Sequence, residues 1–366
     1  MLDARGVRRG PLGIGIVGGG FMATVHSRAA RAARARLVGI ASSSPERAAR
    51  AADELGIEHP YRSLDDLLGD AAIDVVHITT PNALHAEQAL AVLASGKHVV
   101  CEKPLATSVA DAQRLVDAVG GNVATVPFVY RFHPLVREAR ARFAAGETGG
   151  LLSIQGSYLQ DWLLSAGDDN WRVDSLAGGR SRAFADIGSH LVDLIEFITA
   201  DRVSRVAAVK RTFFTSRAEH SQVLTEDAVA VTIETAGGAI GTLLVSQAAP
   251  GRKNRLLLEL AGSAESVVFD QEQPETLWLG RRSGSQLIPR DADQLSPDAA
   301  RLCMTPAGHP QGYQDAFNAF VADTYAAVGG SDPDGLPRFE DGLRAARVTA
   351  AVLDAADAGT WVEVPG

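Results

Sequence analysis

The chain has 366 residues, of which 46% are hydrophobic and 22% charged, the usage of an ordinary globular protein long enough for two hydrophobic cores. Its formal net charge of -9 argues against nucleic acid as the main partner, because binding to phosphates needs clustered cations. No run approaches the roughly 20 apolar residues that span a bilayer, so the composition indicates neither a membrane protein nor a nucleic-acid-binding protein.

The N-terminal segment has three arginines, Arg5, Arg8 and Arg9, but no apolar stretch of the kind that a secretion signal contains. We therefore interpret residues 1–11 as a disordered leader. From Leu12 to about Pro127, short β-branched runs alternate with alanine-rich stretches, a pattern typical of βαβ units around a parallel sheet. Right-handed crossovers between these units predict a doubly wound α/β domain over residues 12–127.

Five buried strands and four helices are predicted in this first domain. The strands are Gly13–Val17, Leu37–Ala41, Ile73–Thr79, His98–Cys101 and Val123–Val129. The helices are Ala23–Ala33, Pro45–Leu55, Ala83–Ser95 and Val109–Ala118.

After Pro134 the pattern changes to one helix, Leu135–Ala145, followed by several strands with few helices between them. These strands are Val203–Phe214, Ala228–Thr235, Ala239–Gln247, Arg255–Ala261, Ser266–Asp270 and Thr276–Leu279. They predict an α+β domain over residues 128–366 with an open, mostly antiparallel sheet. Two late helices, Tyr313–Val328 and Arg338–Ala358, cover one sheet face or return to the first domain. A broad sheet needs one face covered, which favours a homodimer or homotetramer.

The glycine-rich segment Gly18–Ala23 follows an apolar strand and opens a helix, so it matches G-x-G-x-x-G/A in the context that dinucleotide binding requires. Gly18 allows the tight turn, Gly20 lets backbone amides approach a pyrophosphate, and Ala23 lets the helix pack on the strand. Phe21 and Met22 complete the predicted cofactor loop. The alternative is a glycine-rich loop that binds no ligand.

Three serines follow the second strand, where an NAD site usually has a carboxylate that holds the ribose 2′-hydroxyl. Ser42 and Ser43 can donate to a 2′-phosphate, and Arg47 can neutralise it. The segment therefore favours NADP over NAD. The same serines can instead cap the following helix.

Residues 73–104 read IDVVHITTPNALHAEQALAVLASGKHVVCEKP. With this segment the chain resembles the glucose-fructose oxidoreductase and inositol dehydrogenase (Gfo/Idh/MocA) family over nearly its whole length. In that family the Thr-Pro-Asn motif borders the cofactor and the Glu-Lys-Pro motif supplies a catalytic lysine. The resemblance implies a Rossmann domain with cofactor contacts from Thr80, Pro81, Asn82, His85, Glu102 and Lys103.

Lys103 follows a buried strand at the carboxyl edge of the predicted sheet, where doubly wound folds bind their ligands. A lysine at this edge can hydrogen-bond a reacting hydroxyl and stabilise negative charge on its oxygen. The alternative is a solvated lysine at a turn, which is the usual environment of this residue type. The resemblance to the family favours the catalytic role.

A second candidate segment, residues 178–197, reads GGRSRAFADIGSHLVDLIEF. Asp186 and His190 stand four residues apart, so they share one face if the segment is helical. His190 can accept an alcohol proton as hydride leaves, and Asp186 can orient its imidazole. The resemblance implies the same two catalytic roles, whereas a solvated pair on a helix is the alternative. Asp193 is expected to support the helix or an arginine.

Substrate contacts are expected from the polar and tryptophan-rich stretch that ends at Arg172 and from residues after the last strand of the first domain. Indole faces stack on sugar C–H surfaces, and amides and carboxylates bind hydroxyls; core or interface packing of the tryptophans is the alternative. The candidates are Tyr130, Arg131, Gln160, Asp161, Trp162, Trp171, Arg172 and His309.

The two cysteines are too few for a disulfide scaffold, which favours a cytoplasmic location. The nine histidines include no HExxH-like pair, so no metal site is predicted. The dinucleotide motif, the candidate catalytic residues and the family resemblance together imply an NAD(P)-dependent oxidoreductase that transfers hydride between the nicotinamide and a hydroxyl-bearing carbon of a sugar, inositol or sugar derivative.

Two other functions remain open. One is an NAD-dependent glycosidase of the same fold that works by oxidation and elimination. The other is a non-catalytic, cofactor-sensing regulator, which is disfavoured because Lys103, Asp186 and His190 are all present.

Overall fold

The computed structural model describes residues 10–366, so residues 1–9 of the predicted leader lie outside the described residues. The chain divides into two compact units. The first ends at Val129 and includes a later segment, Tyr313–Leu343, and the second comprises Tyr130–Gly312 and Arg344–Gly366. Across the described part of the chain, no helix combines the length and apolar character needed to cross a membrane.

The strands are numbered along the chain. They are β1 (Gly13–Val17), β2 (Arg36–Ala41), β3 (His59–Pro60), β4 (Val75–Ile78), β5 (His98–Cys101), β6 (Ala124–Thr125), β7 (Leu151–Leu159), β8 (Val203–Arg211), β9 (Ala228–Thr235), β10 (Ile240–Ser246), β11 (Arg255–Gly262), β12 (Ser266–Asp270), β13 (Thr276–Arg281), β14 (Gly284–Pro289) and β15 (Val362–Glu363).

The α-helices are numbered in the same way. They are α1 (Phe21–Ala32), α2 (Pro45–Leu55), α3 (Leu64–Leu68), α4 (His85–Ala94), α5 (Val109–Ala118), α6 (Pro134–Ala144), α7 (Ser175–Gly178), α8 (Ser189–Thr199), α9 (Pro297–Ala300), α10 (Tyr313–Val328) and α11 (Phe339–Ala358).

The first unit is built on a six-stranded sheet with the order β3-β2-β1-β4-β5-β6, in which every strand pair is parallel. This arrangement confirms the predicted doubly wound Rossmann fold. The order reverses between β1 and β4, and the carboxyl ends of these two strands form the crevice where such sheets bind ligands. The glycine-rich loop and the Thr-Pro-Asn motif both follow strands that end there.

Side-chain caps explain where several helices of the first unit begin. Ser44, Ser63 and Ser108 each accept a hydrogen bond from a backbone N–H three residues later, at 3.3, 3.1 and 3.0 Å. Helix α2 ends at Leu55 and is followed by Gly56, whose φ of +60° suits a glycine. Strand β3 was not predicted, because its two exposed residues, one of them a proline, carry no strand pattern.

Helix α10 belongs to the first unit, although the sequence pattern placed residues 128–366 in one continuous domain. The reason is its apolar face, which buries Phe317 and Phe320. The ring of Phe317 lies 4.7 Å from that of His26 on α1, and Gln314 Nε2 donates to the Val25 carbonyl at 3.2 Å. Of the two expectations for the late helices, α10 therefore follows the second, the return to the first domain.

The second unit is built on a nine-stranded sheet with the order β14-β13-β12-β11-β7-β10-β9-β8-β15. The pair β7–β10 is parallel, and all other registered pairs are antiparallel, which confirms the predicted open, mostly antiparallel sheet. Alternate residues of β9 and β10 are buried and exposed, as expected for a sheet with one covered face.

Helix α8 packs directly on the buried face of this sheet. A Cβ at Gly156 on β7 would lie 3.0 Å from the side chain of Leu191 on α8 and 2.9 Å from that of Leu243 on β10, so a glycine here lets both leucines pack closely on the strand. On the far side, the Arg344 guanidinium donates to Glu196 at 2.7 Å and to the Val203 carbonyl at 2.6 Å. Helix α8 is thus held on both sides.

Candidate active site

The glycine-rich loop joins β1 to α1. Gly18 has a φ of +101°, and a Cβ there would lie 2.8 Å from Thr79 Oγ1, so both conformation and space require glycine. At Gly20 a Cβ would meet no protein atom within 4 Å. The first turn of α1 carries no acidic residue, and Ala23 is fully buried. This open, unscreened helix N-terminus fits a dinucleotide pyrophosphate.

Phe21 and Met22 form the start of α1. Phe21 is 75% exposed and Met22 is half-buried. Neither side chain is therefore needed for the core of the first unit, and the hypothesis that they border the cofactor stands as a prediction.

The three serines after β2 have different partners. Ser44 caps α2 by accepting the backbone N–H of Arg47, whereas Ser43 accepts a hydrogen bond from the Arg47 guanidinium at 3.1 Å. Ser43 and Arg47 are both exposed. Ser42 lies beside the glycine loop, since its Oγ would be 3.6 Å from a Cβ at Gly19. The capping role thus belongs to Ser44, and Ser43 and Arg47 form an exposed hydroxyl–guanidinium pair.

His85 joins the loops that follow β4 and β5. Its Nε2 lies 2.9 Å from the Thr80 carbonyl oxygen and its Nδ1 lies 2.8 Å from that of Pro104. Both partners only accept, so both hydrogen bonds form when both ring nitrogens carry hydrogen. His85 is fully buried. His85 therefore holds the two loops together, and the cofactor contact expected of it from the sequence stays a prediction.

The other residues of the Thr-Pro-Asn motif lie in the loop that His85 holds. Thr80 Oγ1 donates to Gln88 Oε1 at 2.6 Å, and Pro81 precedes a single 3-10 turn that begins at Asn82. Asn82 is buried. The motif is thus fixed by contacts within the first unit at the carboxyl edge of the sheet.

Glu102 and Lys103 follow β5 at the same sheet edge. Glu102 Oε2 accepts the backbone N–H of Lys103 at 3.1 Å, and Oε1 lies 3.0 Å from His26 Nε2. Burial acts to raise the pKa of the Glu102 carboxyl, but the His26 hydrogen bond and the Lys103 charge outweigh it and lower this pKa. Glu102 is buried whereas Lys103 is half-buried. Glu102 therefore holds the backbone of Lys103, and its expected contact with the cofactor stays a prediction.

Cys101, the last residue of β5, is buried, and burial raises the pKa of its thiol well above the ordinary value. It therefore stays protonated and packs as an apolar residue.

In the second unit, residues 184–188 form a π-helical turn that continues into α8. The buried Glu226 caps the start of this segment. Its Oε1 accepts hydrogen bonds from Ser181 Oγ at 2.7 Å and from the backbone amides of Arg182 and Phe184, each at 3.0 Å. The π-turn, a conformation frequent at functional sites, is thus anchored by one carboxylate.

Asp186 and His190 both lie on this helical segment. Asp186 Oδ2 accepts a hydrogen bond from Gln247 Nε2 at 2.8 Å, and its Oδ1 lies 3.7 Å from Arg172 Nε. His190 is 6% exposed, and its ring lies edge-on to Tyr130 with the centroids 5.1 Å apart. Both side chains are therefore held in fixed surroundings, unlike the solvated pair considered as the alternative.

Next to His190 lies a neutral polar cluster. Tyr158 OH donates to Asn254 Oδ1 at 2.8 Å, Asn254 Nδ2 donates to Tyr130 OH at 3.1 Å, and the Tyr130 and Tyr158 hydroxyls are 2.5 Å apart. Burial raises the pKa of Tyr130. Gln160 Nε2 donates to Asn254 Oδ1 at 2.9 Å, and Trp162 Nε1 donates to Gln160 Oε1 at 2.8 Å. These five residues are called the amide–tyrosine cluster below.

The remaining candidates of the tryptophan-rich stretch have separate partners. Trp162 packs against a small apolar core that includes Leu163, so it serves both as an anchor and in the cluster. The Arg172 guanidinium lies 4.4 Å from the Trp171 ring centroid. Asp161 forms an exposed ion pair with Lys253 at 2.7 Å.

Arg131 and His309, two further candidates for substrate binding, have partners of their own. Arg131 is buried, and its Nε donates to both carboxylate oxygens of Asp193, at 3.1 and 2.9 Å. This pair gives Asp193 the structural role expected of it and assigns the same role to Arg131. His309 is exposed, and its carbonyl accepts a hydrogen bond from Arg290 at 2.6 Å. Neither residue belongs to the amide–tyrosine cluster.

Sequence reasoning missed Tyr158, Gln247, Asn254 and Glu226. Gln247 ends a predicted strand, so a search for polar residues at strand ends would have found it, whereas no bounds were predicted for the strand that contains Tyr158. Asn254 precedes β11 in a loop, and Glu226 lies in an irregular segment, where no periodicity marks a residue. The roles of these residues depend on hydrogen bonds to partners that are distant in sequence.

Two family models match the chain. The oxidoreductase family with an NAD-binding Rossmann fold matches residues 12–126, and the GFO/IDH/MocA C-terminal domain matches residues 136–268. Levoglucosan dehydrogenase of Pseudarthrobacter phenanthrenivorans is 32% identical over 97% of this chain and 98% of its own length.

Two further similarities concern the cofactor. D-xylose 1-dehydrogenase (NADP(+)) 2 of Haloferax volcanii is 37% identical over 48% of this chain and 54% of its own length. The crystal structure of levoglucosan dehydrogenase in complex with NADH and L-sorbose superposes with a TM-score of 0.91 at 31% identity, covering 98% of this chain and all of that chain.

Two glycine variants test the dinucleotide loop. Gly20→Ala is expected to leave the melting temperature unchanged, because its Cβ meets no protein atom within 4 Å, but to weaken NAD(P)H binding at least on the order of tenfold by blocking close approach of the backbone. Gly18→Ala is expected to lower the melting temperature, because its Cβ clashes with Thr79 and its φ is left-handed. Fluorescence titration and thermal denaturation measure the two effects. Unchanged cofactor affinity in Gly20→Ala would contradict this assignment of the loop.

Proposed function

Because this chain belongs to the GFO/IDH/MocA oxidoreductase family of NAD(P)-dependent sugar and polyol dehydrogenases, we propose that it oxidises one hydroxyl group of a neutral monosaccharide or anhydrosugar. The observation that carries the proposal is the similarity to levoglucosan dehydrogenase over 97% of the chain. The amide–tyrosine cluster supports a neutral substrate, because amides and phenols match sugar hydroxyls and carry no charge to hold a phosphate.

The proposed reaction removes a hydride from a carbon and a proton from its hydroxyl, leaving a carbonyl group. A bound nicotinamide would accept the hydride. His190 would accept the proton, since an imidazole titrates in the physiological range, and Asp186 would orient the ring. The Lys103 ammonium would hydrogen-bond the reacting oxygen and stabilise the negative charge that develops there.

A substrate panel tests this function. We expect levoglucosan, L-sorbose, D-xylose or inositol to produce reduced cofactor, followed by absorbance, and a sugar phosphate to produce much less. Lys103→Met and His190→Asn are each expected to lower kcat/KM on the order of 100-fold or more, the usual contribution of a positioned proton-transfer group.

Two results would contradict the proposal. Wild-type turnover in both variants would remove these residues from the mechanism. Release of an aglycone from a glycoside without net reduction of the cofactor would favour the glycosidase instead. Lys97→Met serves as the control, because the Lys97 ammonium donates to the carbonyls of Asp70 and Ile73 and is assigned no catalytic role.

For the cofactor we propose a preference for NADP. The exposed Ser43–Arg47 pair after β2 supports this, since a guanidinium and a hydroxyl suit a 2′-phosphate and no carboxylate follows the strand to repel it. The relatives include both an NADP enzyme and one crystallised with NADH, so the proposed preference depends on this chain's own residues.

Arg47→Ala tests this preference. It is expected to lower kcat/KM with NADP by about 10- to 100-fold, the loss of one charge-assisted hydrogen bond, and to leave the value with NAD unchanged. Arg50→Ala on the same exposed helix is the matched control and should change neither. Equal losses with NADP and NAD in Arg47→Ala would mean that Arg47 does not contact a 2′-phosphate.

We further propose that the chain forms a homodimer or homotetramer through the exposed face of the nine-stranded sheet. Several apolar residues on this unit are exposed, among them Ile240 at 60% and Leu244 at 46%. In the register of β10, Leu244 pairs with Ala230 on one side and Ser157 on the other, so it lies in the middle of the sheet. A central apolar face of this kind is typical of an interface.

Leu244→Arg tests the interface. Light scattering after size exclusion is expected to give a multiple of 38.5 kDa for the parent chain and a smaller mass for the variant, because a buried arginine without a partner opposes association. Leu176→Arg changes an equally apolar residue that is 85% exposed on α7 and should leave the mass unchanged. A monomeric parent chain would refute the proposal.

A further inference from the structure

A chain of four buried polar side chains runs through the first unit. Glu102 follows β5, His26 lies on α1, His77 lies on β4 and Tyr325 lies on α10. His26 Nε2 is 3.0 Å from Glu102 Oε1, His26 Nδ1 is 2.8 Å from His77 Nδ1, and His77 Nε2 is 2.9 Å from Tyr325 OH. Both histidines are 0% exposed. The 2.8 Å separation of the two nitrogens is that of a hydrogen bond.

The Glu102 end of the chain sets the direction of its hydrogen bonds, because the Tyr325 hydroxyl at the other end can both donate and accept. At one end the ionised Glu102 carboxylate can only accept. At the other end, burial raises the pKa of Tyr325 well above its ordinary value, so its hydroxyl keeps its hydrogen. Burial also lowers the pKa of His77 well below its ordinary value, so this ring is neutral.

One arrangement satisfies all three contacts with neutral rings. Tyr325 O–H donates to His77 Nε2, His77 Nδ1–H donates to His26 Nδ1, and His26 Nε2–H donates to Glu102. With neutral rings, the reverse direction would place the His26 Nε2 lone pair against the Glu102 carboxylate. His77 is therefore expected as the Nδ1–H tautomer and His26 as the Nε2–H tautomer.

We propose that His26, His77 and Tyr325 are positioning residues that act on Lys103 through Glu102. The chain presents one N–H to Glu102 Oε1, which holds this carboxylate ionised and fixed, and its second oxygen binds the Lys103 backbone N–H at 3.1 Å. Lys103, His85 and Cys101 are further titratable groups that interact electrostatically with Glu102. The proposal depends on the function proposed above at one point, the action of Lys103 on the reacting hydroxyl.

The cost of burying these groups supports a role beyond stability. Apolar side chains of similar volume would often stabilise the core at least as well as a buried polar network does. Every member of this network has its partner, which is the condition under which a buried network gives a single fixed geometry. The network fixes the position of Glu102, the residue directly before Lys103.

The first experiment reads the tautomers directly. Nitrogen chemical shifts of the full-length chain, labelled with ¹⁵N-histidine, are expected to show His77 as Nδ1–H, the less common form in water, and His26 as neutral Nε2–H. Signals that disappear in His26→Gln and in His77→Asn assign the two rings. His77 as Nε2–H, or His26 as an imidazolium, would overturn the direction of the chain and with it the proposal.

The second experiment compares three variants. His26→Met removes the donor to Glu102 and Tyr325→Phe removes the terminal donor, and both are expected to speed amide hydrogen exchange at Lys103 and to lower kcat on the order of tenfold with little change in KM. His26→Gln should restore both values, because its amide nitrogen donates to Glu102 and its oxygen accepts from His77. Tyr61→Phe, which removes another hydroxyl hydrogen bond in the same unit, is the control.

The outcomes separate this proposal from the proposed function. Equal kcat and Lys103 exchange in His26→Met and in the parent chain would refute the positioning role, as would His26→Gln behaving like His26→Met. If instead Lys103→Met keeps full turnover, the proposed function of Lys103 fails, while the tautomers and the exchange at Lys103 still decide whether the chain positions this residue.

Discussion

A carboxylate can be buried only where hydrogen-bond donors replace its water, and two buried carboxylates organise the two halves of this molecule. In the first unit, Glu102 is hydrogen-bonded to the imidazole of His26 and accepts the backbone N–H of Lys103. In the second unit, Glu226 accepts hydrogen bonds from the Ser181 hydroxyl and from the backbone amides of Arg182 and Phe184, where the π-turn starts. Each carboxylate thereby fixes the backbone that presents a proposed catalytic side chain.

Much of the fold was predictable because its local patterns agree with its tertiary structure. The β1 strand, the glycine loop and the Ala23 packing position follow from spacing alone, and the serine-proline start of α2 marks that helix. The antiparallel sheet of the second unit was also predictable, since alternate residues of its strands are buried. The Glu-Lys-Pro and Asp186/His190 segments were identified through the family resemblance.

What the sequence could not supply are pairings between distant residues. Arg131 donates to Asp193, which lies 62 residues further along the chain, and the sequence gives no sign of this pair. Asn254, in a loop, is hydrogen-bonded to both Tyr130 and Tyr158. His77 has the pattern of an ordinary strand residue in the sequence, but in the structure it is hydrogen-bonded to Tyr325 on α10. No periodicity encodes such contacts, because each depends on which elements the fold brings together.

The return of α10 to the first unit has a consequence for how the chain is made. The hydrogen bond from Gln314 to Val25 spans 289 residues, and Phe317 and Tyr325 complete the environment of His26 and His77. During synthesis the Rossmann sheet can form early, but the surface that α10 covers stays open until that helix leaves the ribosome. The first unit can therefore begin to fold early but is completed only after most of the second unit has been synthesised, and the apolar surface that α10 covers is open to aggregation until then.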